Sequence, residues 1–209
     1  SPAPIIQFRV SSGPLPVSLP LAVEAPTDHD LMIAVRAGEI RRLGDLFERH
    51  HRQLYGFFVR LTNQPAVSED LVQIVFYRIL KYRHTYRDEG KFSAWIYHLA
   101  RKVAADHFRR RSTAPVATDP DDLHAVPDHA PHAAERAAAA DDTARLHAAL
   151  AALDPEQREL LVLARFQRLK HEELARLFDT SVGAVKVRVH RALKNLRDVY
   201  FKLSHEQPA

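Results

Sequence analysis

HEELARLFDTSVGAVKVRVHRALKNLRDVYFKL, residues 171–203, is the stretch that decides the fold of the second half of this chain. Its first helix, predicted over His171–Phe178, carries two glutamates in the first turn, where the helix dipole favours anionic side chains. Asp179-Thr180-Ser181 breaks that helix, and the hydroxyl of Thr180 or Ser181 is suited to cap the next one. A short helix, a tight break and a longer helix together predict a helix-turn-helix.

The longer helix has one apolar side and one basic side. Its apolar residues recur every three to four positions, as on a helix packed along one face: Val182, Val185, Val189, Leu193 and Leu196. The opposite side carries Lys186, Arg188, His190, Arg191, Lys194 and Arg197. A recognition helix needs this division, because one face packs while Arg and Lys on the other reach bases and phosphates. The charges alone are equally consistent with a helix face that is simply exposed to solvent. The preceding short helix and the break favour DNA binding.

The charges of this 209-residue chain are unevenly distributed, although its net charge is only +4. Residues 91–111 and 182–203 each contain six basic residues and one acidic residue, whereas residues 112–144 contain one basic and seven acidic residues. Two basic blocks separated by an acidic one predict two contacts with a polyanion and a connector that avoids it.

The composition also excludes several classes of protein. Cysteine is absent, which rules out a disulfide framework and a thiolate metal site. No apolar run approaches the ~18 residues that a membrane span requires. The first residues lack the basic-then-apolar layout of a signal peptide. We therefore expect a cytoplasmic protein with no membrane contact.

The periodicity of the apolar residues is helical throughout, and no segment sustains a two-residue alternation. The sequence therefore predicts an all-α protein of two small helical bundles joined by an acidic flexible linker. The predicted segments are a flexible Pro-rich extension over 1–26, a helical unit over 27–111, the linker over 112–135, a second helical unit over 136–203 and a tail over 204–209.

Four helices are predicted in the first unit, over 27–38, 39–61, 65–82 and 92–111. Thr27 is suited to cap the first helix and Gly38 to end it. Pro65 suits the first position of the third helix. A polar loop over 86–91 precedes the fourth, in which Trp95 falls on the apolar face. In the second unit, Asp154-Pro155-Glu156-Gln157 is a strong helix start with a cap and a first-position proline.

Four motifs follow one another along the chain: EDLVQIVF at 69–76, FSAWIYHLAR at 92–101, LDPEQR at 153–158 and VGAVKVR at 182–188. In this order and at these separations they resemble the extracytoplasmic-function sigma factors of bacterial RNA polymerase. The resemblance implies sigma domain two over 27–111 and sigma domain four over 136–203. It further implies an alternative sigma factor that binds core RNA polymerase and directs promoter recognition and melting.

The first motif carries the contact with polymerase that the resemblance implies. In the family this helix docks on the coiled coil of the largest polymerase subunit, and domain four meets the flap of the second-largest subunit. Asp70 and Gln73 occupy the matching positions, and a rim carboxylate is well suited to orient a protein contact. Ile74 stands where the family often has Glu, so that contact is expected to differ.

The second motif and the loop before it carry the implied minus-ten contacts. The family's loop traps a base extruded from the melting strand, at a stacking cost offset by pocketing the base against aromatic or Arg planes. The suitable loop residues are Tyr86, Arg87 and Lys91, and the following helix offers His98, Arg101, Lys102, Arg109 and Arg110. Lys102 stands where many relatives carry Asn, so a phosphate contact there is as well supported as a base contact.

The fourth motif carries the implied minus-thirty-five contacts, from Lys186, Val187, Arg188, His190, Arg191 and Lys194. Relatives commonly read Gly-Thr-Val-Lys-Ser-Arg here, so this chain lacks two hydroxyls, while Val187 suits a thymine methyl group. The acidic linker matches the family's connector through the polymerase channels. It is interpreted either as an RNA mimic or as a solvated tether.

The resemblance implies promoter DNA, core polymerase and an anti-sigma factor as partners, and neither catalysis nor a cofactor. One alternative is a stand-alone helix-turn-helix regulator, which leaves the 69–76 helix unexplained. Another is a sigma-mimic that titrates an anti-sigma protein, against which the retained basic residues argue. A metal-binding enzyme is the least favoured alternative, since its candidate ligands, His124, Asp128, His129 and His132, fall in the Pro/Ala-rich linker.

Overall fold

The computed structural model of the chain describes residues 25–87, 91–113 and 133–205. These residues form eight α-helices and no strand, which confirms the all-α prediction. The predicted N-terminal extension, most of the linker with its His124, Asp128, His129 and His132, loop residues 88–90 and most of the tail lie outside the described residues.

Four helices form the first unit: α1 Asp28–Ala37, α2 Arg42–Thr62, α3 Pro65–Tyr82 and α4 Phe92–Thr113. Thr27 caps α1 as predicted, because its hydroxyl accepts from the Asp30 N–H at 3.2 Å and the Asp30 carboxylate accepts from the Thr27 N–H at 2.9 Å. Gly38 ends α1 at φ 111°, a left-handed conformation that glycine adopts without strain. The turn that follows delays α2, so Ile40, whose spacing predicts an inward position, is 40% exposed.

The apolar faces of the four helices meet in an aromatic-rich core. Its fully buried members include Leu31, Met32, Leu46, Leu54, Phe57, Phe58, Val75, Ile79 and Ile96. Trp95, predicted to lie in the core, is half-buried and packs edge-on against the Tyr86 ring, with the ring centroids 5.2 Å apart. This packing joins the start of α4 to the loop that precedes it.

The second unit contains α5 Ala133–Ala151, α6 Pro155–Leu161, α7 His171–Leu177 and α8 Val182–His205. The Asp154 carboxylate caps α6 as its motif predicts, accepting from the backbone N–H groups of Glu156 at 2.9 Å and Gln157 at 3.4 Å. A single π-helical turn, Val162–Phe166, follows α6. A π turn of this kind often marks a functional site.

The two units pack directly on each other, and their buried apolar residues form one cluster. Tyr97 of α4 donates to the Gln167 side chain at 2.5 Å, and burial raises the pKa of the Tyr97 hydroxyl well above its usual range. The Arg158 guanidinium of α6 donates to the Leu61 carbonyl of α2 at 2.9 Å. Arg60 stacks over the Phe166 ring, 4.3 Å from its centroid. As a result α4 lies against the helix-turn-helix.

Candidate nucleic-acid and polymerase interfaces

The exposed face of α8 is the candidate minus-thirty-five surface. Ser181 caps this helix, its hydroxyl accepting from the Ala184 N–H at 3.1 Å. Val185, Val189 and Ala192 are buried and fix the inward side. Lys186, Val187, His190, Arg191 and Lys194 are all exposed on the outer side.

Arg188 lies on the same surface and forms an ion pair within the chain. Its guanidinium pairs with the Glu156 carboxylate in the first turn of α6, and its side chain is 34% exposed. The ring of Phe178 lies 5.8 Å from the guanidinium carbon. Because an exposed ion pair contributes little, Arg188 can exchange Glu156 for another partner.

The outward face of α3 is the candidate polymerase surface. Asp70 and Gln73 are exposed, and the neighbouring Ile74 is 37% exposed. Tyr77 continues the stripe and is 63% exposed, a large fraction for an aromatic side chain. Tyr77 is not among the residues predicted to bind polymerase, although its helical spacing from Gln73 and Ile74 puts it on their face.

The loop before α4 holds the candidate base-capturing residues in different environments. Tyr86 is only 2% exposed, and its hydroxyl is 2.9 Å from Nδ1 of His29 on α1. In this conformation its ring cannot stack on a base, because it is packed against Phe92 and Trp95. Arg87 is exposed. Tyr86 is therefore held from inside the fold while it still lines the cavity beside this loop.

Along α4 the candidate residues divide between solvent and the second unit. His98, Lys102, Arg109 and Arg110 are exposed. Partial burial lowers the pKa of the His98 imidazole, and the charges of Lys102 and Arg101 lower it further, so the neutral form is favoured. Arg101 is instead directed at α6 and α7, where it contacts Glu159 and the end of α7.

A cavity of about 290 Å³ lies where the loop, α4 and α7 meet. Its lining from the first unit includes Arg87, Lys91, Trp95 and His98, and its lining from the second includes Glu173, Arg176 and Leu177. Four of the predicted minus-ten residues thus line one cavity, Tyr86, Arg87, Lys91 and His98, and α7 contributes one of its walls. Nothing local in the sequence indicates that α7 lies there.

Within the described residues no three His, Cys, Asp or Glu side chains are placed to hold a metal ion. None of the described helices is long and apolar enough to cross a membrane.

Comparison with known proteins identifies the family. A family model of sigma-70 region 2 matches residues 46–113, and one of sigma-70 region 4 matches residues 143–196. RNA polymerase sigma factor CarQ of Myxococcus xanthus is 30% identical over 164 residues, which cover 78% of this chain and 91% of CarQ. ECF RNA polymerase sigma factor SigX of Bacillus subtilis strain 168 is 30% identical over 155 residues, which cover 73% of this chain and 80% of SigX. This chain belongs to the extracytoplasmic-function sigma factors.

Two solved structures share the fold of the sigma factor. CnrH in complex with the cytosolic domain of CnrY superposes with a TM-score of 0.64 and 22% identity, over 86% of this chain and 99% of CnrH. RpoE in complex with the anti-sigma factor NepR, from Bartonella quintana, gives a TM-score of 0.57 and 19% identity, over 85% of this chain and 94% of RpoE.

The comparisons confirm the function predicted from the four motifs. The sigma factor binds core RNA polymerase and directs transcription initiation at promoters. The region 2 match accounts for the whole of α3 and α4, which the stand-alone regulator left unexplained.

Proposed function

We propose that the sigma factor docks on core polymerase through the α3 face formed by Asp70, Gln73, Ile74 and Tyr77. The observation that carries this assignment is the stripe of exposed polar and apolar side chains on a helix whose other side is fully packed. Among the described residues Asp70 forms no ion pair, so its carboxylate is available to a cationic partner. An exposed Tyr beside it is typical of protein interfaces.

The first experiment is size-exclusion co-elution of the full chain with bacterial core RNA polymerase. Asp70→Arg reverses the one charge of the proposed face and is expected to abolish co-elution. Glu48→Arg makes the same change at an exposed position of α2 and is expected to leave co-elution intact. Equal retention of both variants would remove α3 from the docking surface.

The same proposal assigns the promoter contacts to two surfaces. On α8, Lys186, Val187, Arg188, His190, Arg191 and Lys194 read the minus-thirty-five duplex, with Arg and Lys as donors to guanine edges and phosphates. Around the cavity, Arg87, Lys91 and His98 hold the melted minus-ten strand, and Trp95 supplies an aromatic wall. Further along α4, the exposed Lys102, Arg109 and Arg110 extend this surface. Tyr86 supports the loop from inside.

The sigma factor carries out this role without catalysis and without a cofactor, in the cytoplasm where promoters are transcribed. Domain four reaches the flap of the second-largest polymerase subunit while domain two holds the largest. An anti-sigma factor is the further partner, supported by RpoE of Bartonella quintana, whose structure contains one. A sigma-mimic would bind such a protein and fail to co-elute with core polymerase, so the same experiment separates the two functions.

A further inference from the structure

A larger cavity, of about 960 Å³, lies between α2 and α3 of the first unit and α5 of the second. We call it the α2–α5 cavity. Its lining combines apolar and aromatic side chains with basic ones, and Glu69 is the single carboxylate in it. The basic members are His51, Arg52, Arg60 and His147. A cavity of this volume and mixed lining is typical of sites that hold a molecule of metabolite size.

Arg60 is half-buried in this lining without a carboxylate beside it. Its guanidinium donates to the Gly56 carbonyl at 2.8 Å, and its Nε is buried with no hydrogen-bond partner. Burial lowers the pKa of the guanidinium, and no ion pair offsets that cost in the part of the chain that the structure describes. A partly buried cation of this kind is stabilised by an anion that enters the cavity.

Gly56 makes room for this guanidinium in the middle of α2. A methyl group at position 56 would lie 2.8 Å from Nη1 of Arg60, which is closer than van der Waals contact allows. Gly44, in the same helix, has nothing within 4 Å of the corresponding point. Glycine inside a helix is destabilising relative to alanine, and at position 56 Arg60 uses the space that the missing side chain leaves.

Arg52 and His147 add to the positive charge around Arg60. Arg52 is exposed and likewise forms no ion pair with any residue that the structure describes. Burial lowers the pKa of the His147 imidazole, and the charge of Arg60 lowers it further, because the two groups lie close together. Glu69 is exposed and acts instead on Tyr55, whose hydroxyl pKa is raised by burial and then by the Glu69 charge. The charge of Arg60 therefore stays uncompensated.

We propose that the α2–α5 cavity is a binding site for a small amphiphilic anion. The guanidinium groups of Arg52 and Arg60 match the oxygens of a carboxylate or a phosphate. The apolar body of the ligand lies against Phe47, Val59 and Leu146. Because the lining belongs to the free chain, binding at this site does not depend on the proposed polymerase and promoter contacts.

Three probes with the same alkyl chain test this chemistry: octanoate, octyl phosphate and 1-octanol. Isothermal titration calorimetry with the free full-length chain measures their affinities below the concentrations at which they aggregate. At least one of the two anions is expected to bind about tenfold more tightly than octanol, the equivalent of one charged hydrogen bond. The tighter anion identifies the head group. Binding of octanol as tight as that of both anions, or no binding of either anion, would overturn the proposal.

Arg52→Gln and Arg60→Gln test the two cations separately. Each is expected to weaken binding of the preferred anion about tenfold and to leave octanol unaffected. The matched control is Arg41→Gln, which removes an exposed cation at the start of α2, outside the cavity lining, and should leave all three affinities unchanged. Equal losses of anion affinity in Arg41→Gln and Arg52→Gln would reduce the effect to net charge and contradict the site.

Gly56→Ala reaches Arg60 without altering any charge. The added methyl group displaces the end of a flexible side chain, so the variant is expected to fold like the wild type by circular dichroism while the guanidinium leaves its position. Binding of the preferred anion is expected to weaken about tenfold. Gly44→Ala adds the same methyl group in open space and should leave binding unchanged. Equal affinities of the two alanine variants would overturn the assignment of Arg60 as the partner of the anion.

Discussion

Arg188 and Arg101 illustrate how intramolecular partners set the availability of single basic side chains. Arg188 pairs with Glu156, and both side chains are substantially solvated. Arg101 pairs with Glu159 in a half-buried position and bonds a backbone carbonyl as well. Because solvated pairs contribute little, the Arg188–Glu156 pair is more easily exchanged than the Arg101–Glu159 pair, which lies in the contact between the domains.

At the residue scale we predict that Arg188→Ala weakens minus-thirty-five recognition by the holoenzyme. The loss of a guanidinium that reads a base edge is expected to cost about 1–3 kcal/mol in binding to minus-thirty-five DNA. The measurement is promoter-fragment binding by the reconstituted holoenzyme, with core co-elution as the check on folding. Glu156→Gln frees Arg188 and should not weaken binding. Loss of core binding in Arg188→Ala would contradict the assignment.

Among the elements, the break between α7 and α8 determines how the recognition helix begins. Both Thr180 and Ser181 are capable caps by residue type, and Ser181 makes the bond to the Ala184 N–H. Asp179 enters the break with φ 49°, a left-handed conformation that Asp tolerates better than most residues. The cap satisfies one of the free N–H groups of the first turn and so fixes the start of the DNA-facing helix.

At the element scale we predict that Ser181→Ala lowers the free energy of unfolding by about 1 kcal/mol through loss of the cap. Urea unfolding of the full chain, followed by circular dichroism, measures the change. Thr180→Ala removes the neighbouring hydroxyl without removing the cap bond and should have the smaller effect. A larger loss of unfolding free energy in Thr180→Ala than in Ser181→Ala would show that Thr180, and not Ser181, provides the cap.

On the scale of the whole molecule, basic and acidic side chains lie on different surfaces. Basic side chains cover the outer face of α8 and the outer face of α4, while Glu159 of α6 and Glu173 of α7 face inward at the domain contact. Contacts between such basic faces and phosphates release counterions, which makes DNA affinity depend on salt. The two inward carboxylates instead pair with basic side chains of the first unit.

We predict that Lys194→Ala reduces the salt dependence of promoter binding by the holoenzyme. Loss of one phosphate contact lowers the slope of log affinity against log salt concentration by about 0.9. Fluorescence titrations over a range of salt concentrations give this slope. Arg41→Ala removes an exposed cation at the start of α2, away from both DNA surfaces, and is expected to leave the slope unchanged. Equal changes of this slope in the two variants would mean that the salt dependence reflects the total charge of the chain and not a contact of Lys194.

The sequence by itself determined the all-α class, the caps at Thr27 and Asp154, the basic face of α8 and the family. These features depend on neighbours within a few residues, through helical periodicity, capping chemistry and motif order, so they can be read without the fold. The exposed position of Asp70 follows in the same way from the apolar spacing of α3.

Only the tertiary structure decided what covers each face. Arg101 lies on α4 as predicted, but its partners Glu159 and Leu177 are 58 and 76 residues away, and no local pattern names them. Tyr86 was predicted in a polar loop and is buried, because His29, Phe92 and Trp95 converge on it. The physical reason is that periodicity shows which side of a helix is apolar or charged, whereas the partner of that side depends on how the helices pack.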